Sequence, residues 1–153
     1  MKNMKYTMGV LLILLGTLAA KAQIETPVHW SYGTKKLANG IVEVHLLATI
    51  DEGWHIYAQK QSAEAVAVPT KITITKQPGL TLIGTPAEIG KKEAYTVKEV
   101  GITNQEYAGK VDFVQKVKIK PGIKEIKGTV SFQACTHERC LAEDNQSFTI
   151  PIP

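Results

Sequence analysis

Alternating apolar and polar side chains recur in short runs along most of the chain. In residues 42–50 every second position is apolar, and the intervening positions include glutamate, histidine and threonine. Such strict alternation predicts a β-strand with one buried face. A second alternating run, residues 111–120, sets four apolar side chains and Gln115 against an aspartate and several lysines. This run predicts the longest strand of the fold.

Turn residues separate these runs. Asn39-Gly40 lies between two apolar stretches, and this dipeptide is the strongest short signal for a β-hairpin. Pro121-Gly122 follows the second alternating run and predicts another turn. The chain shows roughly seven to nine short strands with turn signals and no long helical pattern, which predicts an all-β fold, an immunoglobulin-like antiparallel β-sandwich.

Two stretches lack a strand pattern. Residues 58–68 are followed by Pro69, and residues 86–104 combine weak periodicity with many lysines and glycines. Both stretches are predicted to be loops. The second is long for a compact domain, and long loops on such domains often carry function.

The first residues have the features of a secretory signal peptide. Lys2 and Lys5 form a basic start, residues 8–20 form an apolar run, and an A-x-A cleavage site follows. The run is too short for a transmembrane helix, which needs about 20 apolar residues. The sequence therefore predicts a cleaved signal at residues 1–22 and one soluble domain, residues 23–153, outside the cytoplasm.

The charge balance argues against nucleic-acid partners. The whole chain has a formal charge of +4, but three lysines (Lys2, Lys5 and Lys21) lie in the predicted signal peptide, which contains no acidic residue. The remaining chain carries +1 and has no basic stripe that would follow a phosphate backbone. No nucleic acid is expected as a partner.

The two cysteines of the chain, Cys135 and Cys140, lie in one short segment. A disulfide between them closes a small ring, which stabilises a fold little and is easier to reduce when it is strained. Exchange needs an attacking thiolate and a second thiol that resolves the mixed disulfide, and this pair supplies both. His137 and Arg139, the only arginine, lie between the cysteines. Nearby positive charge favours a thiolate, whereas Glu138 in the same loop opposes it.

Spacing alone leaves other interpretations open. Two nearby cysteines in a secreted protein more often form a structural bridge, here in a non-catalytic immunoglobulin-like binding module. A metal- or copper-handling site would use Cys135, His137 and Cys140, but structural zinc sites usually have four ligands. Neither a metal nor another cofactor is predicted. The other histidines are predicted to be surface or edge residues: His29, His45 and His55.

A family resemblance covers nearly the whole chain after the predicted signal peptide. Its most specific part is a strand that runs into a cysteine pair, residues 128–135, followed by residues 138–141. Residues 28–31, 51–57 and 109–113 support it. In this order the segments resemble the N-terminal periplasmic domain of the thiol:disulfide interchange protein DsbD.

This resemblance implies an immunoglobulin-like sandwich whose cysteine pair carries electrons in the periplasm. Reducing equivalents would come from a membrane-linked thioredoxin-like donor and pass to periplasmic thioredoxin-fold client proteins, such as disulfide isomerases or cytochrome c maturation factors. Cys140 would form the mixed disulfide, with Cys135 as its partner. Because the chain ends at Pro153, it is expected to be a free-standing shuttle without direct membrane insertion. Whether it acts as a protein-disulfide reductase or only as an electron carrier is left open.

The resemblance also implies a cap loop that shields the pair. Its order along the chain places this loop in residues 91–105, around Val100, and Tyr57 is the aromatic residue expected beside the cysteines. Two features depart from the best-known members of the family. One residue fewer separates the cysteines, and Leu141-Ala142 stands where prolines often follow. The second departure bears on the rigidity of the loop and on the reduction potential of the cysteine pair.

Overall fold

The computed structural model describes residues 25–152, so the predicted signal peptide lies outside the described residues. Within these residues the chain forms nine β-strands and one single-turn 3-10 helix at Ala38–Gly40. The strands are β1 (Val28–Lys36), β2 (Ile41–Ile50), β3 (His55–Tyr57), β4 (Lys71–Ile74), β5 (Leu80–Val97), β6 (Ile102–Ile119), β7 (Glu125–Phe132), β8 (Ala134–Cys135) and β9 (Asp144–Pro151). In this part of the chain, no helix has the length and apolar character needed to cross a membrane.

The strands form two antiparallel sheets. In the first sheet, one edge of β6 pairs with β5, and the other edge pairs with β2 and then with β3. β1 lies beside β2, and β8 lies beside β3. The second sheet has the order β4-β7-β9. The predicted all-β antiparallel sandwich is therefore confirmed.

The alternation in β2 corresponds to alternating burial. Its five inward-facing side chains are at most 5% exposed: Val42, Val44, Leu46, Ala48 and Ile50. They belong to one core cluster with side chains of the second sheet, among them Val130 and Phe148. Full burial of a valine, leucine or isoleucine side chain contributes about 1.5–3 kcal/mol, so this strand helps to hold the two sheets together.

The predicted hairpin at Asn39-Gly40 is confirmed, because β1 and β2 pair antiparallel on either side of it. Both residues have positive φ, 61° for Asn39 and 72° for Gly40, as the turn between two twisted strands requires. A Cβ atom on Gly40 would lie 2.9 Å from the carbonyl oxygen of Ile119. Glycine is needed here for its backbone conformation and for the close approach of β6.

The prediction of a long loop at residues 86–104 is wrong. β5 and β6 run through this stretch as an antiparallel hairpin, and only the tip at residues 98–101 is a turn. Most side chains of β5 are exposed, so one-sided burial imposes no alternation on them. Two shifts of register, after Ile83 and after Gly90, interrupt the pattern further. The predicted loop at residues 58–68 does lack strands.

The chain changes sheets at Gln133. β7 belongs to the second sheet, whereas β8, which begins one residue later, pairs with β3 in the first sheet. The Leu141 amide donates a hydrogen bond to the Ala134 carbonyl (2.9 Å), and the Gln133 side chain donates one to the Leu141 carbonyl (3.0 Å). This crossing places the cysteine segment at the edge of the first sheet, beside β3.

Candidate redox site at the edge of the first sheet

Cys135 and Cys140 form a disulfide. The two cysteines differ sharply in exposure, since Cys135 is 0% exposed and Cys140 is an exposed residue. Cys135 is buried because it belongs to β8 and pairs with His55 of β3, whereas Cys140 lies on the returning chain. Thiol exchange requires access to the attacked sulfur, and Cys140 is the more exposed of the two cysteines.

Thr136 shapes the loop between the cysteines. Its backbone amide donates a hydrogen bond to the Arg139 carbonyl (2.7 Å). Its hydroxyl oxygen accepts hydrogen bonds from the backbone amides of Glu138 (3.2 Å) and Arg139 (3.1 Å). Sequence reasoning passed over this residue, although threonine at the start of a tight turn often bonds to the backbone in this way.

Arg139 makes its contacts away from the cysteines. Its guanidinium donates two hydrogen bonds to the Glu25 carboxylate (2.6 and 2.9 Å) and lies 5.0 Å from the centroid of the Trp54 ring. Both charged side chains are about half exposed, so the ion pair adds little stability. The pair connects the segment before β1 to the cysteine loop. The Glu25 carboxylate also balances the positive charge of Arg139.

Tyr57 lies beside the exposed cysteine. Its hydroxyl oxygen is 4.0 Å from Cys140 Sγ, and the residue is 7% exposed. Thr70 holds the backbone of β3 here, because its hydroxyl and amide both donate to the Tyr57 carbonyl. Burial raises the pKa of Tyr57, and the Glu106 carboxylate raises it further. The phenol is therefore neutral at physiological pH and keeps a proton to donate.

Cys140 opens into a pocket of about 460 Å³, which is also lined by residues of the β5–β6 hairpin. Tyr95 and Val97 of β5 are among them. The Tyr95 ring stacks on the His137 ring with centroids 3.9 Å apart and planes 6° apart. The hairpin therefore forms one wall of the pocket through side chains of its strands.

Val100 is not among the residues that line this pocket. It lies at the tip of the hairpin and is 63% exposed. Within the predicted cap region, residues 91–105, the structure brings Tyr95, Val97 and Asn104 to the pocket. Sequence reasoning missed Tyr95, because its position relative to the cysteines depends on the pairing of β5 with β6.

His55 is not the surface or edge residue that was predicted. It is 4% exposed, and its ring centroid lies 5.2 Å from that of His137. Its Nε2 lies 3.3 Å from Oε2 of Glu106, which is itself 6% exposed. Burial lowers the pKa of His55, the Glu106 carboxylate opposes this, and His137 lowers it further. Glu106 reaches this position because β3 pairs with β6, which no local sequence pattern reveals.

Solved structures with the same fold include periplasmic domains. The N-terminal periplasmic domain of ScsB from Proteus mirabilis is 18% identical, with a TM-score of 0.61 over 82% of this chain and 46% of that chain. The Neisseria meningitidis DsbD N-terminal domain in its reduced form is 16% identical, with a TM-score of 0.53 over 80% of this chain and 84% of that chain. A chain in a complex between the DsbD and PilB N-terminal domains from Neisseria meningitidis is 14% identical, with a TM-score of 0.51 over 83% of this chain and 87% of that chain.

These likenesses establish the fold as an immunoglobulin-like antiparallel β-sandwich, as predicted. The chain spans about half, 46%, of the ScsB domain that it matches. No protein with a curated description matches the chain. The sequence model of the family described as "Thiol:disulfide interchange protein DsbD, N-terminal" matches residues 20–151. The chain therefore belongs to the family of DsbD N-terminal domains, as its sequence pattern predicted.

Proposed function

We propose that this protein is a periplasmic thiol-disulfide exchange protein. Its cysteine pair relays electrons from a membrane-linked thioredoxin-like donor to periplasmic thioredoxin-fold client proteins. The observation that carries this proposal is the unequal exposure of the pair, with Cys135 fully buried and Cys140 exposed in a pocket. A structural bridge in a binding module has no need for one reachable sulfur. Membership of the DsbD N-terminal family supports the same conclusion.

The exchange reaction begins from the reduced pair. The Cys140 thiolate attacks one sulfur of the client's disulfide, so that bond breaks and a mixed disulfide forms. The released client thiolate takes up a proton. The Cys135 thiolate then attacks Cys140 Sγ, the second client thiolate leaves and is protonated, and the Cys135–Cys140 bond forms. The client gains two electrons and two protons, and this protein loses them.

Reduction of the pair by the donor follows the same chemistry in reverse. A donor thiolate attacks Cys140 Sγ, and Cys135 leaves as a thiolate that is protonated in place. A second donor thiolate resolves the mixed disulfide, and Cys140 is released as a thiol. Both directions pass through Cys140, so the buried Cys135 never has to meet a partner protein.

The surroundings of Cys140 suit this role. The Tyr57 hydroxyl, 4.0 Å from Cys140 Sγ, donates to the sulfur when it carries negative charge. The pocket beside Cys140 accepts a side chain of the partner, and the stacked rings of Tyr95 and His137 form part of its wall. The solved complex of the DsbD and PilB N-terminal domains supports docking of a second domain on this kind of sandwich.

A mixed-disulfide trap tests the proposal. Cys135→Ser leaves Cys140 as the single thiol, and this variant is incubated with an oxidised thioredoxin-fold protein. We expect a covalent complex that dithiothreitol separates by reducing the mixed disulfide. The matched control, Cys140→Ser, leaves only the buried thiol and is expected to form no complex.

Two results would contradict the proposal. In the first, neither variant forms a complex with any thioredoxin-fold protein. In the second, the Cys135→Ser, Cys140→Ser double variant loses only stability while the binding of a ligand is retained, which would establish the non-catalytic binding module instead.

A further inference from the structure

Three side chains from separate elements converge beside the disulfide. His55 comes from β3, Glu106 from β6 and His137 from the cysteine loop. His55 Nε2 is 3.3 Å from Glu106 Oε2, and His137 Nε2 is 3.1 Å from Glu106 Oε1. One donor atom from each of the three residues lies within 4.8 Å of the others. The two imidazoles thus present ring nitrogens to the same carboxylate.

The Glu106 carboxylate is only partly satisfied, because Oε1 forms a hydrogen bond with His137 Nε2 but Oε2 has no hydrogen-bond partner among the described residues. The side chain is 7% exposed, and its Oε2 is buried without a hydrogen bond to any described residue. The contact of His55 with this oxygen is close but is not a hydrogen bond. In residues 25–152 no lysine or arginine lies within ion-pair distance of Glu106. A buried carboxylate oxygen in this state is costly unless a cation or donor meets it.

We propose that His55 Nε2, the Glu106 carboxylate and His137 Nε2 form a binding site for a divalent late transition-metal ion of the zinc class. Two imidazole nitrogens and one carboxylate are a common zinc-binding set that leaves a further position open. Imidazole ligands favour such ions over magnesium or calcium. Ligand atoms bound about 2.0–2.1 Å from a tetrahedral ion lie roughly 3.3 Å apart, close to the two histidine–carboxylate separations of 3.3 and 3.1 Å.

The surrounding structure holds the three ligands in place. His55 and Glu106 are buried on paired strands, and the ring of His137 stacks on Tyr95. His55 and His137 also line the pocket that contains Cys140. The open position of the ion faces this pocket, where it takes water. Since neither cysteine is a ligand, all three ligands are available while the disulfide is formed.

The sequence by itself predicts no metal site, and its only candidate ligand set is Cys135, His137 and Cys140. It predicts His55 to be a surface or edge residue. In the structure the set includes two histidines, His55 and His137, that are 82 positions apart in the chain. It arises from the pairing of β3 with β6 and with β8.

Zinc titration of the untagged, disulfide-bonded protein tests the site, with a chromogenic chelator as competitor near neutral pH. One equivalent of Zn²⁺ is expected to bind, and excess Mg²⁺ is expected not to compete. His137→Gln and Glu106→Gln should each weaken binding at least about tenfold. His137 is half exposed, so its replacement tests the site even if the Glu106 variant fails to fold.

Two other histidines offer matched controls, because each also contacts a carboxylate. His45 Nδ1 lies 2.8 Å from Asp112, and His29 Nε2 lies 3.1 Å from Asp51. His45→Gln and His29→Gln are expected to leave the zinc affinity unchanged. The Cys135→Ser, Cys140→Ser double variant is expected to bind as tightly as the parent, so this test is independent of thiol exchange.

Three results would overturn the assignment. They are the absence of zinc binding, equal affinity in the parent and the His137→Gln variant, and loss of binding in the double cysteine variant. Equal weakening by His45→Gln would show that zinc binds surface histidines unspecifically, and this outcome also overturns the proposed site.

Discussion

The rings of Tyr95 and His137 stack face to face, with centroids 3.9 Å apart. Tyr95 belongs to β5, and His137 lies between the two cysteines. This contact joins the β5–β6 hairpin to the cysteine loop. Both side chains line the pocket beside Cys140, so the stack forms part of the wall of that pocket.

Replacing Tyr95 is expected to make the disulfide easier to reach. A stacked aromatic pair contributes about 0.5–1.5 kcal/mol, so Tyr95→Ala should speed reduction by dithiothreitol roughly two- to tenfold. The rate is measured by thiol release under excess reductant. Val100→Ala, at the exposed tip of the same hairpin, is the control and should not change the rate. If Val100→Ala sped the reduction of the disulfide more than Tyr95→Ala did, the tip of the hairpin would be the part that restricts access.

The Tyr57 hydroxyl is expected to assist Cys140 through a hydrogen bond to the sulfur. In a Cys135→Ser background, Tyr57→Phe removes this donor, so the alkylation of Cys140 by iodoacetamide at neutral pH should slow roughly two- to tenfold. Tyr32→Phe is the matched control, because Tyr32 stacks on Phe148 in the sandwich instead. Equal rates in the Tyr57→Phe variant and its parent would rule out the hydrogen bond.

Glu88 makes stability depend on pH in the acidic range. Burial by itself raises the pKa of this carboxyl, but hydrogen bonds from Lys92, the Gln59 amide and Tyr107 hold it below the ordinary value of 4.5. The unfolded chain therefore binds the proton more readily than the folded protein does. The stability that Glu88 contributes is present above about pH 4.5 and is lost as the pH falls through the lower folded pKa.

Glu88→Gln is accordingly expected to flatten the acid side of the stability profile. The measurement is the free energy of unfolding in urea at several pH values between neutrality and the acid range. Lys92→Met, which removes one of the three donors, should shift the loss of stability to higher pH. A profile of Glu88→Gln that parallels the parent at every pH would contradict this account.

Gly128 allows three strands of the second sheet to pack closely. A Cβ atom there would lie 2.5 Å from the Thr73 carbonyl oxygen and would overlap the Phe148 ring. Gly128→Ala is therefore expected to lower the free energy of unfolding by about 1–3 kcal/mol. Gly33→Ala on β1 is the matched control, since a Cβ atom there meets nothing within 4 Å. Equal urea midpoints for the two variants would show that the sheet adapts to the extra methyl group.

Local sequence patterns were sufficient for the strands with one buried face. The alternation of β2 predicted its buried residues, and Asn39-Gly40 predicted the hairpin before it, because positive φ at two successive residues restricts the choice of side chains. The position of Cys135 and Cys140 at the end of a strand was also evident from the sequence, as was the family. These features depend on residues that are close together in the chain.

The tertiary structure decided which cysteine is buried and which residues surround the pair. The change of sheets at Gln133 buries Cys135 against His55, and the pairing of β3 with β6 brings Glu106 between two histidines. The part of the β5–β6 hairpin in residues 86–104 escaped prediction, because the mostly exposed side chains of β5 impose no alternation. Periodicity in the sequence reports only whether one face of a strand is buried. Register and sheet order depend on contacts between segments that are distant in the chain. Those contacts determine which residues form the site.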